Sequence, residues 1–539
     1  MNADESEKGD KGESSGQGNP GTVRAATQPA KRRSATKRAR AAAKGGNGGQ
    51  KGSSERAAPE IVAALKAIQD VVTTPGAADA AIKAIKAIIS ASPAALGAVK
   101  DIAAGAVRAG RTRGVPKRAI CLAGGGPAAG LHIGVLQGLK EHGIEFDNED
   151  SVWALSCIGA WVGIVYNQAK EGRGLEETYN FFRDVFRDDE SFRSFPTNTI
   201  FSPDWFGYAD ALQDFLLEPQ NYRNAFVPRK IMESLVYTLS WLGDRENWRN
   251  FSEGDFNRWT LNHVLAVHPA ARFLTALIFK SKINGRTKLH YPDSRFLKDI
   301  KFEKLNEPGK PYIFHNAWNL SKQELQLFSN RNPATHDYKR ITPASLCACS
   351  ALPLIEQTVQ IDGDIYCEGA LIDTVNFEEL LEDHPDLDEI WISRIVDASQ
   401  ILPPKNMLDS TANLCELFAA TVGEDDVKLF KYHVKEAVLN STKRKWTGTI
   451  IEIQVERSIN FEWSHTNLEN GCARGREAAH QAYGRYETRI KDKKPNQLLI
   501  IAPTDEEKQK REKTKRERFN AIEQLLPLLR GDHGYRSLR

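Results

Sequence analysis

The sequence predicts an α/β fold with a central, largely parallel β-sheet, and three segments carry this prediction. Residues 119–125 (AICLAGG) have the pattern of a short buried strand entering a Gly-rich turn, and residues 132–143 (HIGVLQGLKEHG) follow as a helix. Residues 151–169 repeat the order strand, turn, helix, and residues 388–396 (DEIWISRIV) form a further buried strand. Strands that alternate with helices are typical of layered α/β domains.

The 539 residues divide into four regions. Residues 1–58 are rich in Gly, Ser, Lys, Arg and Ala and predict a disordered basic tail, because such a composition buries little apolar surface. Residues 59–115 predict short amphipathic helices. Residues 116–490 form the main domain, with a mainly helical, aromatic-rich insertion at about 170–305. Residues 491–539 predict a charged C-terminal helix or tail.

The charge is unevenly distributed along the chain. Residues 1–58 carry 12 Lys/Arg and 6 Asp/Glu, residues 491–539 carry 13 and 8, and the whole chain has a net charge of only +3, so its middle is acidic. The basic tail at 22–44 is either a solvated tail or a segment that binds a polyanion or an anionic lipid surface.

Cysteine usage and hydropathy indicate the compartment. The seven cysteines have no disulfide-framework spacing, and Cys347-x-Cys349 lacks a second ligand pair, so we expect no metal site and a reducing environment. The first residues contain no apolar run, and the sequence has no stretch of about 18 apolar residues. We therefore expect a cytoplasmic protein, with a peripheral position on a membrane or lipid granule as the alternative.

Two strand–helix turns have compositions that suit acyl chemistry. Gly124, Gly125 and Gly126 follow the first strand, and the free amides of such a turn can hold an anion such as a tetrahedral oxyanion. Cys157 follows the second strand, at the place of a nucleophile elbow, and Gly159 permits close helix packing beneath it.

A carboxylate motif lies about 200 residues after the elbow. In IDGDIYCEGALIDTVN (361–376), a strand ends at Glu368, which Gly369 and Ala370 follow. Such a carboxylate can act as the general base that activates a nucleophile. Asp373 is the reserve candidate for this role.

The order of these motifs resembles that of the bacterial patatin-like phospholipases. LAGGGPAAGLHIGVLQGLKEHGI (122–144) is similar to the family's first strand, oxyanion loop and first helix. TPASLCACSALPLI (342–355) resembles the segment before its catalytic carboxylate, and SHTNLENGCARGREAA (464–479) resembles the C-terminal end of bacterial members. The resemblance implies a three-layer patatin-like fold over about 118–490, a lipid acyl ester as substrate and no cofactor.

The chain departs from the family at its most important positions. The nucleophilic Ser falls on Cys157, the catalytic Asp on Glu368, and the oxyanion-loop Arg on Ala128. The first Gly of the elbow falls on Leu155, whose branched side chain should crowd the turn. Two interpretations stay open: a lipid acyl hydrolase with a Cys157–Glu368 dyad, or an inactive pseudoenzyme that binds lipid or acts as a scaffold.

Overall fold

In a computed structural model, the described residues are 116–194, 201–244, 252–289, 294–331, 338–394, 407–439, 446–455 and 462–504, with a few single positions besides. The predictions for the basic tail at 1–58, for the helices at 59–115 and for the charged segment after Asp505 fall almost wholly outside these residues. No helix in the described part of the chain combines the length and the apolar character needed to cross a membrane.

A ten-stranded sheet forms the centre of the protein, and it is largely parallel, as predicted. Its strands are β1 (Arg118–Leu122), β2 (Val152–Leu155), β5 (Tyr312–Asn319), β6 (Glu324–Ser329), β7 (Lys339–Arg340), β9 (Val359–Ile361), β10 (Asp364–Glu368), β11 (Glu389–Arg394), β12 (Thr449–Gln454) and β13 (Leu499–Ile501). A second, small sheet contains β3 (Phe201–Ser202), β4 (Gly285–Leu289) and β8 (Leu354–Glu356).

The strand order of the central sheet is β13-β12-β11-β1-β2-β5-β10-β9, and β6 and β7 extend it from β5. Neighbours from β13 to β5 run parallel, whereas β10, β9 and β6 join by antiparallel pairing. The sheet thus includes β13, which lies beyond the predicted domain boundary at residue 490.

Fourteen α-helices are present among the described residues. They are α1 (Ala129–Glu141), α2 (Ile158–Gln168), α3 (Gly174–Val185), α4 (Asp189–Ser194), α5 (Trp205–Leu217), α6 (Pro219–Ala225), α7 (Pro228–Gly243), α8 (Glu253–Trp259), α9 (Pro269–Lys280), α10 (Arg295–Asp299), α11 (Pro343–Cys349), α12 (Phe377–Asp383), α13 (Met407–Leu439) and α14 (His465–Ile490). Short π- and 3₁₀-helices lie at Thr260–Leu265, Phe302–Asn306 and Gly369–Leu371.

Helices cover both faces of the sheet, as expected for a three-layer α/β domain. On one face, α1, α2 and α14 contribute to a core that includes Trp153 and Trp391. On the other face, α12 and α13 pack with β1, β2 and β11. The predicted insertion between 170 and 305 is mainly helical, but β3 and β4 interrupt it and pair into the small sheet.

Helices α1 and α14 approach each other so closely that only glycine fits at several points of contact. A Cβ atom on Gly475 would lie 2.0 Å from the carbonyl oxygen of Leu131, and one on Gly134 would lie 2.0 Å from that of Cys472. This contact fixes α1, and α1 begins directly after the Gly-rich loop.

We predict that Gly475→Ala lowers the free energy of unfolding by roughly 1–3 kcal/mol, because the added methyl group overpacks the helix contact. Gly484 is a matched control on α14, because a Cβ atom there meets nothing within 4 Å. Gly484→Ala should stabilise the helix by about 0.5–1 kcal/mol. Urea unfolding of both variants measures the difference, and equal effects would contradict the packing argument.

Candidate active site

Two adjacent parallel strands bring the Gly-rich loop and the elbow to the same edge of the sheet. Strands β1 and β2 pair in a register that places Leu122 beside Leu155, the last residue of each strand. The segments that follow these residues therefore emerge together at the carboxyl ends of the strands, where α/β proteins bind ligands.

Cys157 has the strained backbone of a nucleophile elbow. Its φ of 47° and ψ of −121° lie in a region that residues with a Cβ rarely adopt, and α2 begins at the next residue. The turn is tight: the Ser156 amide donates to the Leu122 carbonyl at 3.1 Å, and the Gly159 amide donates to that of Ser156 at 2.8 Å.

Glycines beneath the elbow allow its close packing. A Cβ atom on Gly159 would lie 2.2 Å from the carbonyl oxygen of Leu122, so only glycine lets α2 approach β1 in this way. The branched side chain of Leu155 is accommodated by Gly163 on α2, where a Cβ atom would lie 2.6 Å from Leu155 Cδ1. Leu155 thus points into the core instead of crowding the turn.

The Gly-rich loop contacts both candidate catalytic residues. A Cβ atom on Gly124 would lie 3.0 Å from Cβ of Cys157, 3.2 Å from Cβ of Ala370 and 3.6 Å from Oε1 of Glu368. The backbone amide of Gly125 is close enough to the Cys157 sulfur to lower the pKa of its thiol. Gly126 has a φ of 59°, a conformation that favours glycine.

Glu368 reaches the elbow from the antiparallel side of the sheet. It is the last residue of β10, opposite Ala317 of β5, and its amide donates to the Ala351 carbonyl at 2.9 Å. The next residue, Gly369, lies against the side chain of Asn316, because a Cβ atom there would be 2.6 Å from Asn316 Oδ1. Pairing with β5, the Ala351 carbonyl and the Asn316 side chain therefore hold the backbone around Glu368 in place.

The thiol and the carboxylate form a buried, electrostatically interacting pair. Cys157 is 7% exposed and Glu368 is 6% exposed. Burial raises the pKa of the Glu368 carboxyl to about 7, and the interaction with Cys157 opposes this shift. Burial, and then the nearby carboxylate, raise the pKa of the Cys157 thiol well above its ordinary value, whereas the Gly125 amide lowers it.

Asp373, the reserve carboxylate, lies in a different environment. Its Oδ1 accepts hydrogen bonds from the amides of Val375 at 2.9 Å and Asn376 at 2.6 Å, so the side chain closes a turn. The described contacts thus bring Cys157, Glu368, Gly124, Gly125 and Ala370 together and leave Asp373 in the following turn.

Three residues with structural contacts to the site had no assigned role in the sequence analysis. The buried ring of His132 donates from Nε2 to the Ala123 carbonyl at 2.8 Å, and its Nδ1 accepts from Ser393 Oγ at 3.0 Å. Burial lowers the pKa of His132 to about 4, which keeps the ring neutral.

Asn316 donates to Asn376 Oδ1 at 2.7 Å, and Asn376 donates to the Leu155 carbonyl at 3.3 Å. These contacts tie the Gly-rich loop, the elbow and the turn after Glu368 to the sheet.

Ser156 is a poorer candidate nucleophile than its neighbour Cys157. Its side chain is completely buried, and its hydroxyl has no hydrogen-bond partner among the described residues. Nothing therefore activates this hydroxyl, whereas the Cys157 sulfur contacts both a carboxylate and a backbone amide.

Comparisons with known proteins agree with this arrangement. The sequence model described as patatin-like phospholipase matches residues 120–381, which contain the Gly-rich loop, the elbow and Glu368. No curated protein matches the chain. Among solved structures, the chain is similar to VipD from Legionella pneumophila, with 13% identity, 78% of each chain covered and a TM-score of 0.29.

The likeness to VipD is too low to carry an argument, so the assignment depends on the match to the family and on the fold. Residues 120–381 of this chain form a patatin-like phospholipase domain.

Proposed function

We propose that this protein hydrolyses acyl esters of lipids, with Cys157 as the nucleophile and Glu368 as the general base. The observation that carries the proposal is the buried thiol of Cys157 beside the buried carboxylate of Glu368, both packed against Gly124 of the Gly-rich loop. A nucleophile, a base within hydrogen-bond reach and backbone donors at one point are the groups that acyl transfer requires.

The chemistry would proceed through a thioester. The Glu368 carboxylate accepts the thiol proton while the Cys157 sulfur attacks the ester carbonyl carbon, and the amide of Gly125 stabilises the oxyanion together with its neighbours in the loop. Collapse of the tetrahedral intermediate breaks the ester C–O bond, and the proton passes from Glu368 to the leaving alcohol. Glu368 then removes a proton from water, which attacks the thioester carbonyl carbon. The C–S bond breaks, the proton passes from Glu368 to the departing Cys157 sulfur, and the fatty acid leaves.

The electrostatics favour proton transfer during the attack and not before it. A carboxylate destabilises a neighbouring thiolate, and burial acts in the same direction, so the resting nucleophile is a neutral thiol. Cysteine hydrolases with an imidazole partner keep a preformed thiolate. Here the base must act in the transition state, and its pKa of about 7 suits that task near neutral pH.

The surface between β3 and β4 supports a lipid as the substrate. Helices α5 to α9 expose many large apolar side chains, and such patches mark contact with lipid or with another protein. The most exposed members are Phe206, Phe279, Leu217, Ile278 and Trp205. Strand β4 pairs with β8, which lies a few residues after α11, so this region is connected to the site.

A pseudoenzyme that binds lipid is the second candidate, and one observation favours it. Cys157 and Glu368 are almost fully buried, and the thiol pKa is raised well above the ordinary value. A neutral, enclosed thiol is a poor nucleophile until a substrate enters and the base acts. Rates of hydrolysis distinguish the two candidates.

We predict that Cys157→Ala abolishes hydrolysis of a short-chain acyl ester, because it removes the nucleophile. Cys157→Ser should keep measurable activity, since it restores a hydroxyl at the family's nucleophile position. Glu368→Gln should lower kcat by about 10²–10⁴-fold, the usual contribution of a general base.

Two variants serve as controls for these rates. Cys347→Ala removes a buried thiol from α11, and Asp373→Asn alters the carboxylate that closes the turn after Glu368. Both should retain activity within about five-fold of the wild type if they fold, as circular dichroism checks. Equal rates for wild type, Cys157→Ala and Glu368→Gln would favour the pseudoenzyme.

The pH dependence should follow the ionisation of Glu368. Because the pKa of this carboxyl is raised to about 7, the base is protonated and inactive at lower pH. We expect kcat/KM to rise about ten-fold per pH unit below about 7 and then to level off. In Glu368→Gln the residual activity should lose this slope. A wild-type profile that is flat across the same range would rule out Glu368 as the base.

A further inference from the structure

A second thiol lies directly against the candidate nucleophile. Cys349 is the last residue of α11, and its side chain is completely buried. The backbone amide of Cys157 donates a hydrogen bond to the Cys349 sulfur, with 3.0 Å between nitrogen and sulfur. The Cys347-x-Cys349 motif, which lacks a metal-site pattern, therefore places one of its sulfurs at the elbow.

The two cysteines are close enough to form a disulfide. With an N–Cα bond of about 1.46 Å, the Cys349 sulfur lies at most about 4.5 Å from Cα of Cys157. A disulfide joins two sulfurs about 2.05 Å apart. The Cys349 sulfur lies against the backbone of the residue whose thiol it would join, so rotation of the Cys157 side chain can bring the two sulfurs together.

We propose that Cys157 and Cys349 are a modification site, at which a hydroperoxide converts the two thiols into a reversible disulfide. The oxidant is a small hydroperoxide, because Cys157 is 7% exposed and Cys349 has no exposed surface. The site uses the same thiol as the proposed hydrolase, but disulfide formation requires no acyl ester.

The reaction balances in two steps. The Cys157 sulfur attacks the terminal peroxide oxygen, the O–O bond breaks, and the thiol proton passes through Glu368 to the departing alcohol or water. The product is a sulfenic acid at Cys157. The Cys349 sulfur then attacks the Cys157 sulfur, the S–O bond breaks, and the hydroxide leaves as water with the Cys349 proton. The two thiols lose two electrons and the peroxide gains them.

Two other thiols lie near Glu368, but the described contacts favour Cys349. Cys367 precedes Glu368 on β10, so its side chain points to the opposite face of the strand. Cys415 on α13 is only partly buried and interacts electrostatically with Glu368. Among the described residues, the side chain that the Cys157 amide hydrogen-bonds is that of Cys349. Cys349 is therefore the resolving thiol, and the disulfide would shield Cys157 from irreversible oxidation.

The test treats the full-length protein with hydrogen peroxide under denaturant-free conditions, then alkylates and digests it without reductant. We expect a loss of two hydrogen atoms in intact mass and a cross-linked peptide pair that contains Cys157 and Cys349. Dithiothreitol should remove the cross-link. The yield should increase as pH rises through the Glu368 pKa of about 7, because the carboxylate must accept the thiol proton.

Matched variants make the assignment specific. Cys349→Ser should abolish the cross-link and increase sulfinic or sulfonic acid at Cys157 by at least about ten-fold, whereas Cys347→Ala, on the same helix, should leave the cross-link intact. Should Cys349→Ser fail to fold, linkage mapping in the wild type still decides.

Three results in the wild type would overturn the proposal: Cys157 is over-oxidised without cross-linking, it is linked to Cys367 or Cys415, or it stays unmodified. A cross-link in a protein without hydrolase activity would refute the proposed function alone.

Discussion

The register between β1 and β2 is the constraint on which the site depends. Because Leu122 lies beside Leu155, the Gly-rich loop and the elbow leave the sheet at the same level. Gly159 then lets α2 approach the Leu122 carbonyl, and Gly124 lets the loop approach both Cys157 and Glu368. A slip of one residue would turn each buried side chain to the other face and separate these groups.

The pair of Cys157 and Glu368 differs from the Ser and Asp of the family in size and in electrostatics. Sulfur is larger than oxygen, and glutamate is one methylene longer than aspartate. Both changes therefore alter the distance between the nucleophile position and the carboxylate. The structure accommodates them with both side chains buried side by side against Gly124. Leu155, which stands where the family has the first glycine of the elbow, is likewise accommodated. Gly163 on α2 leaves room for its branched side chain. Substitutions that look disruptive one at a time are compatible as a set.

The sequence was sufficient to predict the α/β fold, its largely parallel sheet and the segments that approach one another at its edge. Strand–turn–helix patterns are local, and a residue's place at a strand end is visible in the chain. The contacts of His132, Asn316 and Cys349 could not be predicted, since each bonds to a residue distant in sequence. Strand β13 has only three residues, and β3 only two, so their patterns are too short to distinguish from coil.

Burial of Glu368 has a cost for stability that its chemistry explains. The pKa of this carboxyl is raised from 4.5 to about 7, so the folded state holds the proton more tightly than the unfolded state does. The stability that the protonated Glu368 carboxyl contributes is complete below pH 4.5 and is lost as pH rises through about 7. Over this range the free energy of unfolding falls by on the order of 3 kcal/mol, at about 1.4 kcal/mol per pH unit. Solvation would remove this cost, but it would also lower the pKa of Glu368 toward 4.5 and weaken its ability to take a proton from the thiol. In the proposed mechanism, the enclosed site therefore gives up stability above neutral pH, and in return the pKa of the base suits a poorly acidic nucleophile.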